Sequence, residues 1–433
     1  MSPPQAATMK QSQKLQLLEK TTYFLILLFL PTQLGKHFWP SWSYVSGLRI
    51  DYLSPTIYFT DILIMLLFSV VIIQHVKAMR FSSAKQEIRN SNLPIVGLWL
   101  ATIVIGILLS KNVLGGFYGS LKLLEFSFFS LYTAKHVKSI AAVAVPLAIG
   151  VLFESSLAFV QVFLQGSIGG LFYWFGERTL SSQTPGVANA SLNGSLFLRP
   201  YATFSHPNVL AGYLIIAMTI VVSHVTCHML RVKKSFYTAS LVFGTLAIFL
   251  TLSRVAIVIW ASLLIISVFK SIRAKKTIIS TLLIIAAIFF FTPLSTRFFQ
   301  SSLSGESLQL RISLSQNALA MIRDHPIFGV GLYNFIPTLP FYQHAWSAPL
   351  FSSFQPVHNI FLLVATETGV LGLIFFAWFI VKTCKRLQFQ ISNFKFQILF
   401  VVLVLGMFDH YFLTLQQGQL LFALVIGLCF RRL

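Results

Sequence analysis

The segment "LRPYATFSHPNVLAGYLIIAMTIVVSHV", residues 198–225, joins a polar stretch directly to a long apolar run. The polar part contains Arg199 and the triplet His206, Pro207 and Asn208. A helix needs about 20 apolar residues to cross a bilayer core about 30 Å thick, and proline fits the first turn of a helix. The segment therefore predicts a membrane-spanning helix with a charged, polar entrance.

The rest of the chain has the same apolar character. Hydrophobic residues make up 56% of the 433 residues and charged residues 10%, whereas soluble domains carry about 25% charged residues. Because lipid admits only helices and closed barrels, the continuous apolar runs favour helices. We predict an all-α integral membrane protein, one polytopic membrane domain over residues 1–433, with about twelve transmembrane helices. The predicted spans lie near 21–36, 56–76, 93–110, 114–134, 139–164, 204–226, 235–251, 253–270, 276–293, 358–381, 396–410 and 413–430.

The distribution of positive charge predicts the orientation in the membrane. The chain has 32 Lys and Arg against 11 Asp and Glu, for a net charge of +21. The basic residues cluster in alternate loops and near both termini, as they do in loops that stay in the cytoplasm. We therefore expect a multi-pass protein with both termini in the cytoplasm and no nucleic-acid partner. The predicted cytoplasmic tail is 1–20, and the predicted extracytoplasmic loops are 165–203 and 294–357.

The first span lacks a short apolar core followed by a small-residue cleavage site, so we expect it to be retained. The three cysteines lie on or near the reducing side of the membrane in this topology. We expect no disulfide bond among them.

The large extracytoplasmic loop, between the ninth and tenth predicted spans, contains a helical pattern. In "SLQLRISLSQNALAMIR", residues 307–323, the apolar positions have the spacing of a short amphipathic helix. These positions are Leu310, Leu314, Ala318, Met321 and Ile322. Pro326 should end the helix, and we expect the helix to lie flat on the outer leaflet.

Two arginines at span entrances are the strongest candidates for chemistry. Arg199 precedes the sixth predicted span, and Arg254 stands in "LTLSRVA", where two spans meet with hardly any loop. Guanidinium suits bidentate, partly desolvated phosphate contacts, and the first turn of a helix is itself an anion site. Both arginines could instead extend to lipid headgroups. The phosphate interpretation predicts that they hold a pyrophosphate at the outer membrane surface.

Histidines and carboxylates are few in the outer part of the chain. His358 stands where the large loop enters the tenth span, and a neutral imidazole can accept a proton from a hydroxyl; it could also be a hydrogen-bonded structural residue. His206 is favoured as a helix cap beside Pro207. Glu367 lies inside the tenth span, where an ionisable group suggests function or a buried partner. His224 and His228 share a helix face but lie at the cytoplasmic end, so we expect no metal and no other cofactor.

At these residues the chain resembles the O-antigen ligase and polymerase superfamily of membrane glycosyltransferases. The resemblance rests on four short segments in order, and it covers roughly residues 140–425. The segments are "LRPYATFSHPNVLAG", "LTLSRVA", "IRDHPIFGVGLYNF" and "HNIFLLVATETGVLG". The twelve-span layout, with a large outer loop before the tenth span, is also similar.

The resemblance implies transfer of a glycan from undecaprenyl pyrophosphate to an acceptor hydroxyl outside the bacterial cytoplasmic (inner) membrane. Arg199 and Arg254 match the phosphate-binding arginines of the family, and His358 matches its loop-edge histidine. Arg311 is a weaker match. In this scheme His358 deprotonates the acceptor and the arginines stabilise the leaving pyrophosphate, so the resemblance implies an inverting transfer without a metal. The acceptor is a glycan, a lipid or a protein, and membrane lipid surrounds the enzyme.

Four further residues are expected to contact the substrate: Arg311, His206, Asn208 and Glu367. The segment "DHYFLTLQQGQ", residues 409–419, is expected to border the sugar site. A transporter or flippase of the same lipid-linked oligosaccharide is the alternative function. A flippase should line a passage through the bilayer with charge, whereas the candidate residues here crowd the outer half, so the sequence favours transfer.

Overall fold

The computed structural model describes residues 3–79, 93–192, 195–228, 234–270, 306–343, 354–391 and 393–431. In these ranges the chain is mostly helical. The helices are α1 (Pro3–Leu28), α2 (Phe59–Met79), α3 (Leu93–Leu108), α4 (Val113–His136), α5 (Ala141–Leu164), α6 (Pro207–His228), α7 (Lys234–Leu250), α8 (Arg254–Lys270), α9 (Glu306–Asp324), α10 (Phe335–Thr338), α11 (Ile360–Arg386), α12 (Phe394–Gly406), α13 (Tyr411–Thr414) and α14 (Gln416–Phe430).

Several helices are long and apolar enough to cross a membrane. Four meet both criteria by length and composition: Phe59–Val76, Ala141–Leu164, Pro207–Val225 and Ile360–Arg386. Shorter apolar helices of the described ranges are Ile95–Leu108, Ser235–Leu250, Arg254–Ile266, Phe394–Gly406 and Gln416–Phe430. The span expected near 276–293 lies outside the described residues. A helical membrane protein is therefore confirmed in general, and the count of about twelve spans stays a prediction.

Short strands occur in the connections after α1 and α5. Three antiparallel pairs form there. They are β1 (Gly35–His37) with β4 (Thr56–Tyr58), β2 (Tyr44–Val45) with β3 (Leu48–Arg49), and β5 (Asn189–Leu192) with β6 (Ser195–Leu198). The first helix accordingly ends at Leu28, earlier than the span expected at 21–36, and its start at Pro3 makes the expected tail largely helical. Proline is common just after a helix end, and Pro31 stands there.

Helix α6, which begins at Pro207 within the 198–225 segment, lies in the centre of the apolar core. Every apolar side chain from Val209 to Val221 is at most 2% exposed. The helix packs against α5, α7 and α12. A helix that is apolar on all sides suits such a position, and its N-terminus is thereby fixed from several directions.

Side chains of α5 hold the polar segment that leads into α6. The Glu154 carboxyl group accepts hydrogen bonds from the backbone N–H of Thr203 at 3.1 Å and from the Thr203 hydroxyl at 2.9 Å. The Gln161 amide oxygen accepts from the backbone N–H groups of Tyr201 and Ala202, at 3.0 and 2.7 Å. These backbone groups lie outside any helix or strand, so side chains satisfy them instead.

Helix α9 lies where the amphipathic pattern predicted a helix, and its expected contact with the outer leaflet needs correction. Leu310, Leu314, Ala318 and Met321 are buried in a second apolar core together with residues of the 330–339 segment and Leu363. The apolar face therefore packs against protein rather than lipid. The helix ends at Asp324, two residues before Pro326, as expected.

The connection after α9 docks onto a kink in α11. Gly369 has φ 69°, and Gly329 has φ 67°. A Cβ atom at either glycine would collide with backbone atoms of the other segment. This close approach allows two backbone hydrogen bonds. Val330 N–H donates to the Thr366 carbonyl at 2.9 Å, and Gly331 N–H donates to the Glu367 carbonyl at 3.0 Å. Two of the quoted motifs thus meet as one backbone junction.

Replacing Glu154 by Ala should lower the thermal midpoint of the detergent-solubilised protein. The change leaves the Thr203 N–H without its buried acceptor, at a cost of about 1–3 kcal/mol. Ser155→Ala is the matched control, because the Ser155 hydroxyl is buried without a partner among the described residues. Equal midpoints for both variants in a thermal denaturation series would contradict the anchoring role of Glu154.

Candidate functional site

A cavity of about 1240 Å³ opens where the connections after α1 and α5 meet the N-terminal end of α6. Its walls also include side chains from α4, α9, the segment before α11 and residues 409–419. Small-molecule sites typically measure about 300–1000 Å³. The cavity therefore has room for more than one sugar ring, or for parts of two substrates.

Arg199 is fixed in the cavity wall by two neighbours. Its Nε donates to the backbone carbonyl of Thr251 at 2.7 Å, and its Nη2 donates to Asn208 Oδ1 at 2.9 Å. Thr251 follows directly after α7, where unpaired carbonyls attract cations. The "LTLSRVA" motif around Arg254 thus contains the carbonyl that accepts a hydrogen bond from Arg199.

Asn208 connects the arginine to a carboxylate. Its Nδ2 donates to Asp409 Oδ2 at 3.2 Å, while its backbone N–H donates to His206 Nδ1 at 3.1 Å. His206 therefore caps α6, as the sequence favoured. Arg311 lies nearby and donates from Nη1 to the Phe408 carbonyl at 3.3 Å.

His358 lies on the same cavity, two residues before α11. The next residue, Asn359, caps this helix by accepting from Phe361 N–H and Leu362 N–H at 2.9 and 3.0 Å. The imidazole of His358 lies edge-to-face against that of His410, with 5.0 Å between ring centroids. His358 Nδ1 is buried without a hydrogen-bond partner among the described residues. We call Arg199, His206, Asn208, Arg311, His358, Asp409 and His410 the arginine–histidine cluster.

Burial keeps the imidazoles of this cluster neutral. Burial lowers the pKa of His358 below its ordinary value of 6.5, His410 lowers it further, and Asp409 raises it only in part. The pKa of His206 is lowered in the same way, first by burial and then by Arg199. Burial by itself raises the pKa of Asp409, but the nearby imidazoles, His358 first, more than offset this and lower it. At neutral pH His358 is therefore an unprotonated base near a carboxylate.

Three members of the cluster also form a potential metal-ligand set. Ligand atoms of His358, Asp409 and His410 all lie within 4.8 Å of one another. Two imidazoles and a carboxylate are a set that suits zinc. His410 Nδ1, however, already shares a 2.6 Å hydrogen bond with Thr414 Oγ1. The expectation of a metal-free site therefore stays a prediction.

The structure gathers five of the seven expected site residues on the cavity. Arg199, His206, Asn208, Arg311 and His358 all line it. The other two, Arg254 and Glu367, lie elsewhere. Their roles in the expected site remain predictions.

Arg254 and Glu367 are not among the residues that line the cavity. Arg254 is exposed at the first residue of α8, three residues after the Thr251 carbonyl that binds Arg199. Glu367 lies at the junction of α11 with the 330–335 segment, where its Oε1 accepts from Phe335 N–H at 3.3 Å. The geometry thus gives Glu367 a structural partner rather than a place on the cavity.

Sequence reasoning gave no role to several cavity residues. Tyr52 lies edge-to-face on His410 with 5.5 Å between ring centroids, and Arg178 pairs with Asp51 at 3.8 Å. Tyr52 lies far in sequence from His410, and Asp51 lies far from Arg178. Asp409 and His410 were noted only as a possible border of the sugar site, because a short polar turn does not reveal its partners.

Comparison with known protein families gives one match. Residues 239–377 match the family model described as O-antigen ligase. The matched segment contains Arg254, Arg311 and His358, whereas Arg199 and Asp409 lie outside it. A search of curated proteins finds no match. The match covers about a third of the chain and confirms the resemblance seen in the sequence. With the apolar helices, it indicates a bacterial membrane protein.

Proposed function

From the O-antigen ligase domain at residues 239–377, we propose that this membrane protein is a lipid-linked oligosaccharide glycosyltransferase. It transfers a glycan from undecaprenyl pyrophosphate to an acceptor hydroxyl at the extracytoplasmic face of the bacterial membrane. The observation that carries the proposal is that Arg199, Arg311 and His358 share one cavity with Asp409. A phosphate-binding group and a neutral base on one wall are the two functions that such a transfer requires.

The arginines stabilise the diphosphate of the donor. Arg199 is mostly buried and is held in place before substrate arrives, so little reorganisation is needed as charge develops on the leaving group. Arg311 supplies a second positive charge on the same cavity. Arg254 lies outside the residues that line the cavity, and we assign it a third phosphate contact because it matches a phosphate-binding arginine of the family. Guanidinium groups can meet the leaving charge without a metal.

His358 accepts the proton of the acceptor hydroxyl. The freed oxygen attacks the anomeric carbon of the donor sugar and forms the new glycosidic bond. The bond between that carbon and the pyrophosphate oxygen breaks, and undecaprenyl pyrophosphate leaves with the electron pair. One displacement from the opposite face inverts the anomeric configuration. Asp409 stabilises the imidazolium that forms, since its carboxylate lies beside His358.

The position of the cluster favours transfer over a flippase. Apart from Arg311, which lies on α9, its members lie at helix ends and in connections, at the start of α6, before α11 and between α12 and α13. Below them, the central helix α6 presents the buried apolar run from Val209 to Val221. A flippase for a charged lipid needs polar groups along its passage through the bilayer.

The purified protein in liposomes should form new glycosidic product from an undecaprenyl-pyrophosphate-linked oligosaccharide without ATP. Product should also form in the presence of EDTA, because the leaving charge is met by arginines. Mass spectrometry of the lipid and acceptor fractions measures both outcomes. Movement of the donor across the liposome membrane without any product would overturn transfer in favour of the flippase.

Arg199→Ala and His358→Ala should each lower the transfer rate by at least about 100-fold, because each removes a group that acts in the transition state. Arg254→Ala should lower it by about tenfold, because one charged contact to phosphate is lost. Arg323→Ala and His325→Ala are matched controls, since both side chains are exposed and lie outside the cavity. A normal rate for any of the first three variants, at normal membrane yield, would remove that residue from the mechanism.

The acid limb of kcat/KM should lie below pH 6.5. The free enzyme needs neutral His358, and its pKa is lowered by burial, so activity persists below 6.5 and falls as pH drops through the lowered pKa. The limb in kcat should lie higher, because bound diphosphate places negative charge beside the imidazole. Initial rates across about pH 4–8, the range in which histidine titrates, show where both limbs lie relative to pH 6.5. A kcat/KM limb at or above 6.5 would exclude a buried neutral base.

A further inference from the structure

A second group of polar residues lines the same cavity, away from the arginines. Tyr118 and Tyr333 meet edge-to-face with 6.0 Å between ring centroids. Lys122 Nζ lies 5.4 Å from the ring centroid of Tyr58, and Gln419 donates to the Tyr333 hydroxyl at 3.3 Å. We call these residues and Gln416 the tyrosine cluster. Its members are Tyr58, Tyr118, Lys122, Tyr333, Gln416 and Gln419, and all line the cavity.

The charge of this cluster is balanced from within the protein. Lys122 Nζ lies 2.5 Å from an Asp61 oxygen and 3.2 Å from a Glu125 oxygen. Glu125 lies three residues after Lys122 on α4, and Asp61 joins the pair from α2. With one ammonium group between two carboxyl groups, this part of the cavity offers no net positive charge. An anionic ligand would therefore find no net attraction here, whereas an uncharged ligand needs none.

The cluster also has hydrogen-bonding capacity for an uncharged ligand. The Gln416 amide nitrogen donates to Asp61 and, at 3.1 Å, to Thr60 Oγ1. The amide oxygen of the same side chain is buried without a partner among the described residues, and Gln416 is only 5% exposed. An unpaired buried acceptor is costly. A ligand hydroxyl that reaches this oxygen would satisfy it.

Aromatic rings combined with amides and hydroxyls suit one class of ligand. Tyrosine offers an apolar ring face and a polar tip, and Gln416 and Gln419 bring amide groups beside such rings. A sugar ring has C–H faces and a rim of hydroxyl donors and acceptors, so it matches both features. Phosphate matches neither.

The two clusters are joined by one short segment of chain. His410 belongs to the arginine–histidine cluster and bonds Thr414 through Nδ1 at 2.6 Å. Gln416 and Gln419 follow on the first turn of α14. A ligand that placed its diphosphate at Arg199 would therefore extend its glycan along this segment.

We propose that the tyrosine cluster is the sugar subsite of the donor, and that it selects an uncharged, hydroxyl-rich ring over an anionic sugar such as a uronic acid. This assignment rests on the proposed function, since the arginine–histidine cluster must hold the diphosphate of the same molecule. The cluster binds and orients the sugar and takes no part in bond making.

Binding measurements on the full-length protein in nanodiscs test the subsite. The probes are undecaprenyl pyrophosphate alone, the same lipid carrying N-acetylglucosamine, and the same lipid carrying glucuronic acid. We expect N-acetylglucosamine to strengthen binding by about tenfold over the bare lipid, as one well-paired polar group can contribute. Glucuronic acid should give no gain.

Two variants separate the sugar contacts from the diphosphate contacts. Tyr58→Phe and Gln416→Met should lose the gain from N-acetylglucosamine while binding the bare lipid pyrophosphate as the wild type does. Tyr132→Phe is the matched control, because it removes a hydrogen-bonding tyrosine hydroxyl outside the cavity. Thermal midpoints of all variants report whether they fold.

The outcomes distinguish the subsite from the proposed function. Wild-type protein that fails to bind the bare lipid pyrophosphate would overturn the proposed function. Normal binding of the bare lipid, with equal or stronger binding of the glucuronic acid form than of the N-acetylglucosamine form, would overturn the subsite alone. That comparison needs no variant, so a folding defect in Gln416→Met would not protect the proposal.

Discussion

Buried hydrogen bonds between α5 and the segment before α6 are the interaction on which the site depends. Glu154 and Gln161 lie inside an apolar helix, where a polar side chain without a partner is costly. The backbone N–H groups of residues 201–203 lie outside any helix or strand and need acceptors. The side-chain oxygens of Glu154 and Gln161 accept hydrogen bonds from these N–H groups, so both sets of polar atoms are satisfied. The result is a rigid polar segment at the end of the apolar core, and Arg199 is therefore in position before a substrate binds.

The balance of charge around Asp409 in the arginine–histidine cluster changes when the donor binds. Before the donor binds, the Asp409 carboxylate lies near the arginines. Asn208 joins it to Arg199 by hydrogen bonds to both side chains. The imidazole of His358 stays neutral because burial outweighs the attraction of Asp409. A bound diphosphate then adds negative charge, which favours the protonated imidazole. The base thus becomes stronger at the stage when the acceptor hydroxyl must lose its proton.

The sequence predicted what local pattern controls. The apolar run after Pro207, the helix at 307–323 and the clustering of Arg199 with His206 and Asn208 all depend on neighbours within a few residues. The placement of Arg254 was not predictable in this way, because its distance from the cavity depends on how α7 and α8 meet. The face of α9 was misjudged for a similar reason, since an amphipathic pattern does not say whether lipid or protein covers it.

The tyrosine cluster was beyond sequence reasoning for a stronger reason. Its members come from the end of β4, from α4, from the docked connection after α9 and from α14, and no spacing within one segment connects them. Only Gln416 and Gln419 stood in a segment expected to border the sugar site. The glycine junction between Gly329 and Gly369 positions the connection that bears Tyr333, so a backbone feature determines where this side chain reaches the cavity.

The contrast between the two clusters gives the donor a single orientation. Buried ion pairs such as those of Lys122 with Asp61 and Glu125 add little stability, because desolvation offsets their attraction. Their effect here is on specificity. A donor with its diphosphate at Arg199 and Arg311 places its sugar beside neutralised polar groups, whereas the reverse orientation would place phosphate where no net positive charge meets it. Attraction of the diphosphate at one end only therefore directs the anomeric carbon toward His358.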